Sequence, residues 1–296
     1  MVSIHTLDLI SAIRKIGENK RKVDNEKYFV SEGWHETNDV NNGSIIRETL
    51  IPKNYLKELI FSGPHFYISN PYYKTPRIEC KDKLDYDVSD LNQITEDHVP
   101  RSNYRISEYI FNDIYKSFQY DKIKDNWLAY YKLGFSKMLS TQSERTLQPS
   151  ILPKNVTHIN SVVSILFEDK KILIELTGLA SSIIFDFYIK SIAKANLVES
   201  VIKTFALISN KKYFPSLAFR ILISNCLSKL YKELWDENWD KSYLDESWSK
   251  HDKRLSNLHL RTSVWNLSTP LRNPFERRWA LIEIAVSYTH LTMPTI

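Results

Sequence analysis

Glycine is scarce in this chain: six in 296 residues. Glycine supplies the tight turns and close backbone approaches that cradle phosphates, so a nucleotide-binding domain built on glycine-rich loops is disfavoured. Cysteine is scarcer still. Cys80 and Cys226 stand far apart, which implies neither a disulfide framework nor a zinc cluster. No apolar run reaches the roughly 18 residues of a membrane span, and the N-terminus lacks a charged-then-apolar signal pattern. A cytoplasmic chain without a membrane partner is expected. Repeats and low-complexity segments are missing too. His35-Glu36 is no metal pair, because no second histidine lies at helical spacing. Glu79-Cys80-Lys81 resembles half of a nuclease site but lacks the upstream acid, since no Asp lies between Asp39 and Asp82.

A hydrophobic fraction of 43% and a charged fraction of 25% are those of a globular protein, long enough for one large domain or two small ones. The net charge of +5 permits a polyanionic partner without demanding one.

The informative stretch runs from Ser143 to Lys190 and reads as strand, turn, strand, helix. Leu147 to Leu152 is a short apolar run closed by Pro153, which cannot donate to a ladder. Val156 to Phe167 is β-branched, and Asp169 caps a helix carrying Ile172, Leu176, Leu179, Ile183 and Phe187. Lys190, Lys194 and Asn196 close that helix, where lysine suits the dipole. Polar residues interrupt both strands at Arg145, Thr146, His158 and Asn160, as groups able to reach a ligand.

Elsewhere, Leu7, Ile10, Ile13 and Ile16 predict an amphipathic helix, with Lys20-Arg21-Lys22 as its solvated end. Lys74, Arg77, Arg101 and Tyr104 form a basic and aromatic series suited to phosphate contacts and stacking, and Lys154 sits beside a strand end. The aromatic stripe Trp127, Tyr130, Tyr131, Phe135 and Met138 predicts a helix over 125–140. A long helix is predicted over 213–240, with Trp235, Trp239, Trp248 and Trp265 anchoring a helical end. Asn273-Pro274-Phe275-Glu276 reads as a helix start, with an Asn cap, proline at the first position and Glu reaching back. The last eleven residues read as foreign: Val-Ser-Tyr-Thr-His-Leu back-translates to the transposon end of sequencing adapters.

Ser143-Glu144-Arg145-Thr146-Leu147, Ile151-Leu152-Pro153, His158-Ile159-Asn160-Ser161, Leu179-Ala180-Ser181-Ser182 and Phe185-Asp186-Phe187 together resemble the target-recognition region of large adenine-specific DNA methylases. These enzymes belong to restriction-modification and phage-defence systems and carry a TaqI-like specificity region after the catalytic domain. The likeness extends over about 28–284 and includes Gly33-Trp34-His35-Glu36-Thr37-Asn38. It implies DNA binding through Lys74, Arg77, Arg101, Tyr104, Arg145, Thr146, Lys154, His158, Asn160 and Lys190. It also implies duplex DNA as partner, together with a catalytic methylase domain upstream or in trans. S-adenosylmethionine is the implied cofactor of the parent enzyme; none is bound by this chain. Asn70-Pro71-Tyr72-Tyr73 invites comparison with the Asn-Pro-Pro-aromatic motif of amino-group methylases. Tyr72 replaces its second proline and no glycine-rich turn precedes it, so no catalytic residue is assigned.

The expected fold class is α+β: a mixed recognition domain of short strands and helices, then a helical subdomain. The expected segments are 1–60 as lead-in, 61–210 for recognition, 211–285 as helical subdomain and 286–296 as the foreign tail. The alternative function is a protein-interaction module that docks a helicase or nuclease partner.

Overall fold

One strand, Val162–Phe167, is buried along its whole length, on both faces. The computed structural model describes residues 7–292 apart from Lys83, Ser209 and Asn210. Its strands in chain order are β1 (Tyr28–Ser31), β2 (Ile45–Leu50), β3 (Ile60–Phe61), β4 (Lys74–Pro76), β5 (Tyr86–Val88) and β6 (Ser102–Ile106). Then follow β7 (Lys132–Ser136), β8 (Pro149–Leu152), β9 (Thr157–His158) and β10 (Val162–Phe167). The main sheet is antiparallel in the order β1-β10-β7-β8, with Ile165 opposite Val30 on one side and Leu133 on the other. Three two-stranded ribbons, β2-β6, β3-β9 and β4-β5, lie beside it; β3-β9 is parallel.

The longer helices are α1 (Leu7–Glu18), α2 (Lys170–Ser181), α3 (Ile183–Ile192), α4 (Phe214–Asn225), α5 (Lys232–Asn238) and α6 (Pro274–Thr292). Along β10, Ile165 and Phe167 join a large core with the helices, while Leu166 joins a smaller one with Ile45, Ile60, Ile106 and Trp127. The fold is α+β. The larger core draws on residues from Ile16 to Ile284, and so on all three segments suggested by the sequence. α2 rests on the sheet and α4 rests on α2. Gly178 permits that closeness, since a Cβ there would meet Leu217 Cγ at 2.7 Å.

Several sequence expectations change in this setting. The helix expected over 125–140 is a short 3-10 turn, Trp127–Ala129, followed by β7. Its aromatics serve two cores rather than one face: Trp127 and Leu128 enter the smaller, Tyr131 and Phe135 the larger. A strand buried on both sides has no alternation to betray it. The strand expected over 156–167 breaks at a turn, Asn160–Ser161, between β9 and β10. The long helix after Asp169 breaks at Ser182, where the two halves meet at 75°. Ser182 caps the second half, accepting from Phe185 N and donating to Leu179 O. Lys194 and Asn196 therefore lie beyond the end of α3 rather than closing it.

The helix expected over 213–240 stops at Asn225, whose Oδ1 turns to the sheet to accept from Ile151 N at 3.1 Å. Along the segment that was expected to continue it, Leu227 and Leu234 are fully buried, while Leu230 is only partly so. Lys20-Arg21-Lys22 is not wholly a solvated end, since Arg21 pairs with the buried Glu175 at 2.7 Å and with Glu26. α6 starts at Pro274 under the Asn273 cap, but Glu276 accepts from Ser256 N instead of reaching back. Its backbone stays helical through Thr292; residues 293–296 of the suspected tail lie outside the described residues.

Lys132 of β7 lies wholly inside. Its Nζ donates to Tyr130 O at 2.8 Å and stands 4.2 Å from the centre of the Trp127 ring. Burial, with a smaller contribution from Lys154, lowers its pKa from 10.5 to about 7. Between these values the unfolded chain binds one more proton than the native one, so stability rises with pH. Urea unfolding between pH 7 and 8.5 is expected to show this rise, and Lys132→Met to flatten it. Parallel curves for the two proteins refute the assignment. Gly178→Ala is expected to cost about 1–3 kcal/mol by overpacking α2 against α4, read from the same denaturation curves.

Candidate nucleic-acid interface

The Asn160–Ser161 turn anchors a large cleft. Asn160 N donates to Trp34 O at 2.7 Å, and its Oδ1 accepts from Glu36 N at 3.2 Å. This approach needs Gly33, at φ +66°, because a Cβ there would lie 2.0 Å from His158 O. Ser161 Oγ accepts from Gly63 N at 3.1 Å, so the turn before β4 is tied to the same point. Under that turn lies the buried His65, its Nε2 2.8 Å from Arg101 O; burial pushes its imidazole down to about 4. Facing it are the β2-β6 ribbon, with Arg47, Asn103 and Tyr104, and the β4-β5 hairpin, with Lys74 and Lys81. Lys137, just after β7, closes the far side.

The cleft holds about 1020 Å³. Arg47, Lys74, Lys81 and Lys137 line it against only Glu36 and Asp82 as acids. Lys137 pairs with Glu32 outside the cleft at 2.8 Å, and Arg47 donates to Lys81 O. Tyr67 and Tyr73 pack at 5.1 Å with their planes 31° apart, and Lys74 Nζ sits 5.4 Å from the Tyr73 ring. Cations, aromatic faces and amides in one concave wall are suited to a polyanion carrying flat bases. Among the described residues, no group of three or more His, Cys, Asp or Glu is placed to hold a metal ion.

Of the residues singled out in the sequence, Lys74, Tyr104 and Asn160 line this cleft. Tyr104 is a buried wall whose hydroxyl is bonded to Glu36. Arg77 stands exposed on the hairpin, paired with Asp87 at 2.8 Å, and Arg101 donates from Nε to Pro76 O. Lys154 pairs with Glu233, and Lys190 donates to Ser143 O at 3.3 Å. Burial removes Thr146 and His158 from the surface. Thr146 donates to Ser140 O, and His158 lies between Ser164 Oγ at 2.7 Å and Ile159 O, its pKa lowered by burial to about 4.

Arg145, expected to face a ligand, turns inward to Ser181 O at 2.7 Å and Asp186 at 3.6 Å. The polar residues that interrupt the strands do so because they satisfy buried groups. Tyr72 is also buried, its hydroxyl 2.7 Å from Ser228 Oγ, so it is a core residue of the Asn70-Pro71 turn. Sequence reasoning missed Arg47, Asn103, Lys81 and Lys137, which only strand pairing and the hairpin bring together. Tyr67 and Tyr73 lay within a quoted stretch, yet nothing local distinguished them from Tyr72.

A second cleft, of about 810 Å³, lies between the 67–73 turn and the first turn of α3 on one side and α6 on the other. It is mainly apolar, with Ile183 and Ile282 exposed. Arg277 spans its floor, donating to Ser69 O, Ser224 O and Leu271 O, and burial followed by the charge of Arg272 lowers its pKa to about 9. Among the described residues no single helix is long and apolar enough to cross a membrane. Compared with known proteins, the chain matches no family model and no curated sequence.

Arg145 and Asp186 have side chains only 11% and 5% exposed. Arg145→Ala takes a charge partner from the buried Asp186 carboxylate, which keeps the Leu147 and Thr146 N–H groups and the charge of Lys190. Breaking such a pair costs about 3–5 kcal/mol. That loss is expected in urea denaturation, and a variant within about 0.5 kcal/mol of the parent, the range of surface changes, refutes the structural role.

Proposed function

We propose that the chain recognises target DNA for an adenine-specific, S-adenosylmethionine-dependent methylase of a restriction-modification or phage-defence system. The observation that carries this reading is the large cleft, where four cations, a tyrosine pair and side-chain amides meet. The motifs at 143–147, 151–153 and 158–161 support it by resemblance. Methyl transfer belongs to the parent's catalytic domain in this reading. Tyr72 is locked in the core, and Tyr73 packs on Tyr67 rather than closing a tetrapeptide around a flipped adenine.

The second cleft favours a different reading, docking of a protein partner, because apolar side chains exposed in a concave wall are what an interface buries. Salt separates the two. Phosphate contacts release counterions and apolar docking does not. Fluorescence anisotropy with a labelled duplex is expected to show affinity falling steeply between two salt concentrations. Lys74→Ala and Lys81→Ala should each lower the slope of log affinity against log salt by about one. Binding that ignores salt, or none, rejects the DNA reading and favours docking.

A further inference from the structure

The hydrogen-bonding atoms of the large cleft are unevenly used. Several of its acceptors are engaged inside the protein. Asn160 Oδ1 takes the Glu36 N–H, Asn103 Oδ1 takes the Thr49 hydroxyl at 2.7 Å, Ser161 Oγ takes the Gly63 N–H, and Glu36 takes the Tyr104 hydroxyl. Several of its donors are left over. The amide nitrogens of Asn160 and Asn103 and the ammonium groups of Lys74 and Lys81 meet no hydrogen-bond acceptor among the described residues. Other donors are used: Gln148 Nε2 on Arg145 O at 3.4 Å, Lys137 on Glu32, and Arg47 on Lys81 O.

Asn160 is the best defined of these donors. A backbone N–H can only donate, so the atom that meets Glu36 N must be the amide oxygen, and Nδ2 faces the other way. The backbone is held as firmly, by Trp34 O on one side and the Ile159–Val162 turn on the other. A donor fixed in this way asks for an acceptor.

We infer, resting on the reading of the cleft as a DNA interface, that Asn160 is a specificity-determining residue that donates from Nδ2 to the major-groove edge of a guanine. The base follows from the chemistry. Adenine shows one acceptor, N7, and one donor, N6, and an asparagine reading it presents oxygen and nitrogen together; Asn160 Oδ1 is already turned to the Glu36 N–H, and Nδ2 is the group without a partner. Guanine shows two acceptors, N7 and O6, which suits the unpartnered amide nitrogens and ammonium groups of this wall. A phosphate oxygen offers acceptors too, and the experiment separates it from the base.

The purified chain selects duplexes from a random pool. The preferred duplex is then remade with 7-deazaguanine, which replaces the N7 acceptor by a C–H, at each guanine in turn. The parent chain is expected to lose about tenfold in affinity at one guanine. Asn160→Asp keeps an oxygen for Glu36 N and exchanges the amine for a second oxygen. It is expected to melt with the parent and to bind the natural and 7-deaza duplexes equally. The added charge weakens both, so the ratio carries the result. A variant that keeps the parent's discrimination, or a parent indifferent to 7-deazaguanine everywhere, overturns the inference. A loss uniform over all sequences assigns Asn160 to a phosphate and overturns it too. If the parent binds duplex DNA but enriches no sequence, only the guanine contact falls; if it binds none, the DNA reading falls first and the contact with it.

Discussion

The fold depends on covering β10 twice. Six consecutive buried residues, Val162 to Phe167, have no face to give to solvent, so the chain must lay a layer on each side. On one side this is α2, backed by α4 at the close approach that Gly178 allows; on the other it is the cluster built around Trp127 and the β2-β6 ribbon. The turn that feeds β10 is fixed by the same requirement. Asn160 and Ser161 lie in the turn that enters β10, at the wall of the cleft.

What the sequence disclosed follows from how local each signal was. The end of β8 at Pro153, the caps at Asp169 and Asn273, and the amphipathic α1 each rest on neighbours within a turn or two, and they stand where expected. Breaks at Ser182 and Asn225 were hidden because apolar spacing continues across them; the bends come from a serine cap and from a side chain turned to the sheet. The aromatic stripe over 125–140 misled for a related reason. Residues feeding two cores imitate the period of one helical face.

The site was less legible than the fold. Polarity inside a strand looks like a ligand contact, but Arg145, Thr146 and His158 bond inward. Burial explains their presence equally well, because a layered core still contains carbonyls and carboxylates that need donors. Residues that do line the cleft are scattered over strands and turns from Glu36 to Asn196, so no window of sequence holds them together. Asn160 was visible only because it shares a turn with the central strand.

The same inward bonding changes how the basic excess is read. Lys132, Arg272 and Arg277 donate to backbone carbonyls and have no carboxylate partner among the described residues. Arg272 and Arg277 are therefore held by peptide dipoles at the second cleft, and the wholly buried Lys132, its pKa lowered to about 7, carries only part of a charge near neutrality. Some exposed cations are in turn paired, Arg77 with Asp87 and Arg254 with Asp252. Lys74 and Lys81 have no carboxylate partner among the described residues, and they are the free cations that the cleft itself offers to a polyanion. In the DNA reading, these cations supply the salt-dependent attraction to the backbone, and selectivity comes from donors held in place by the strands and turns that also close the core.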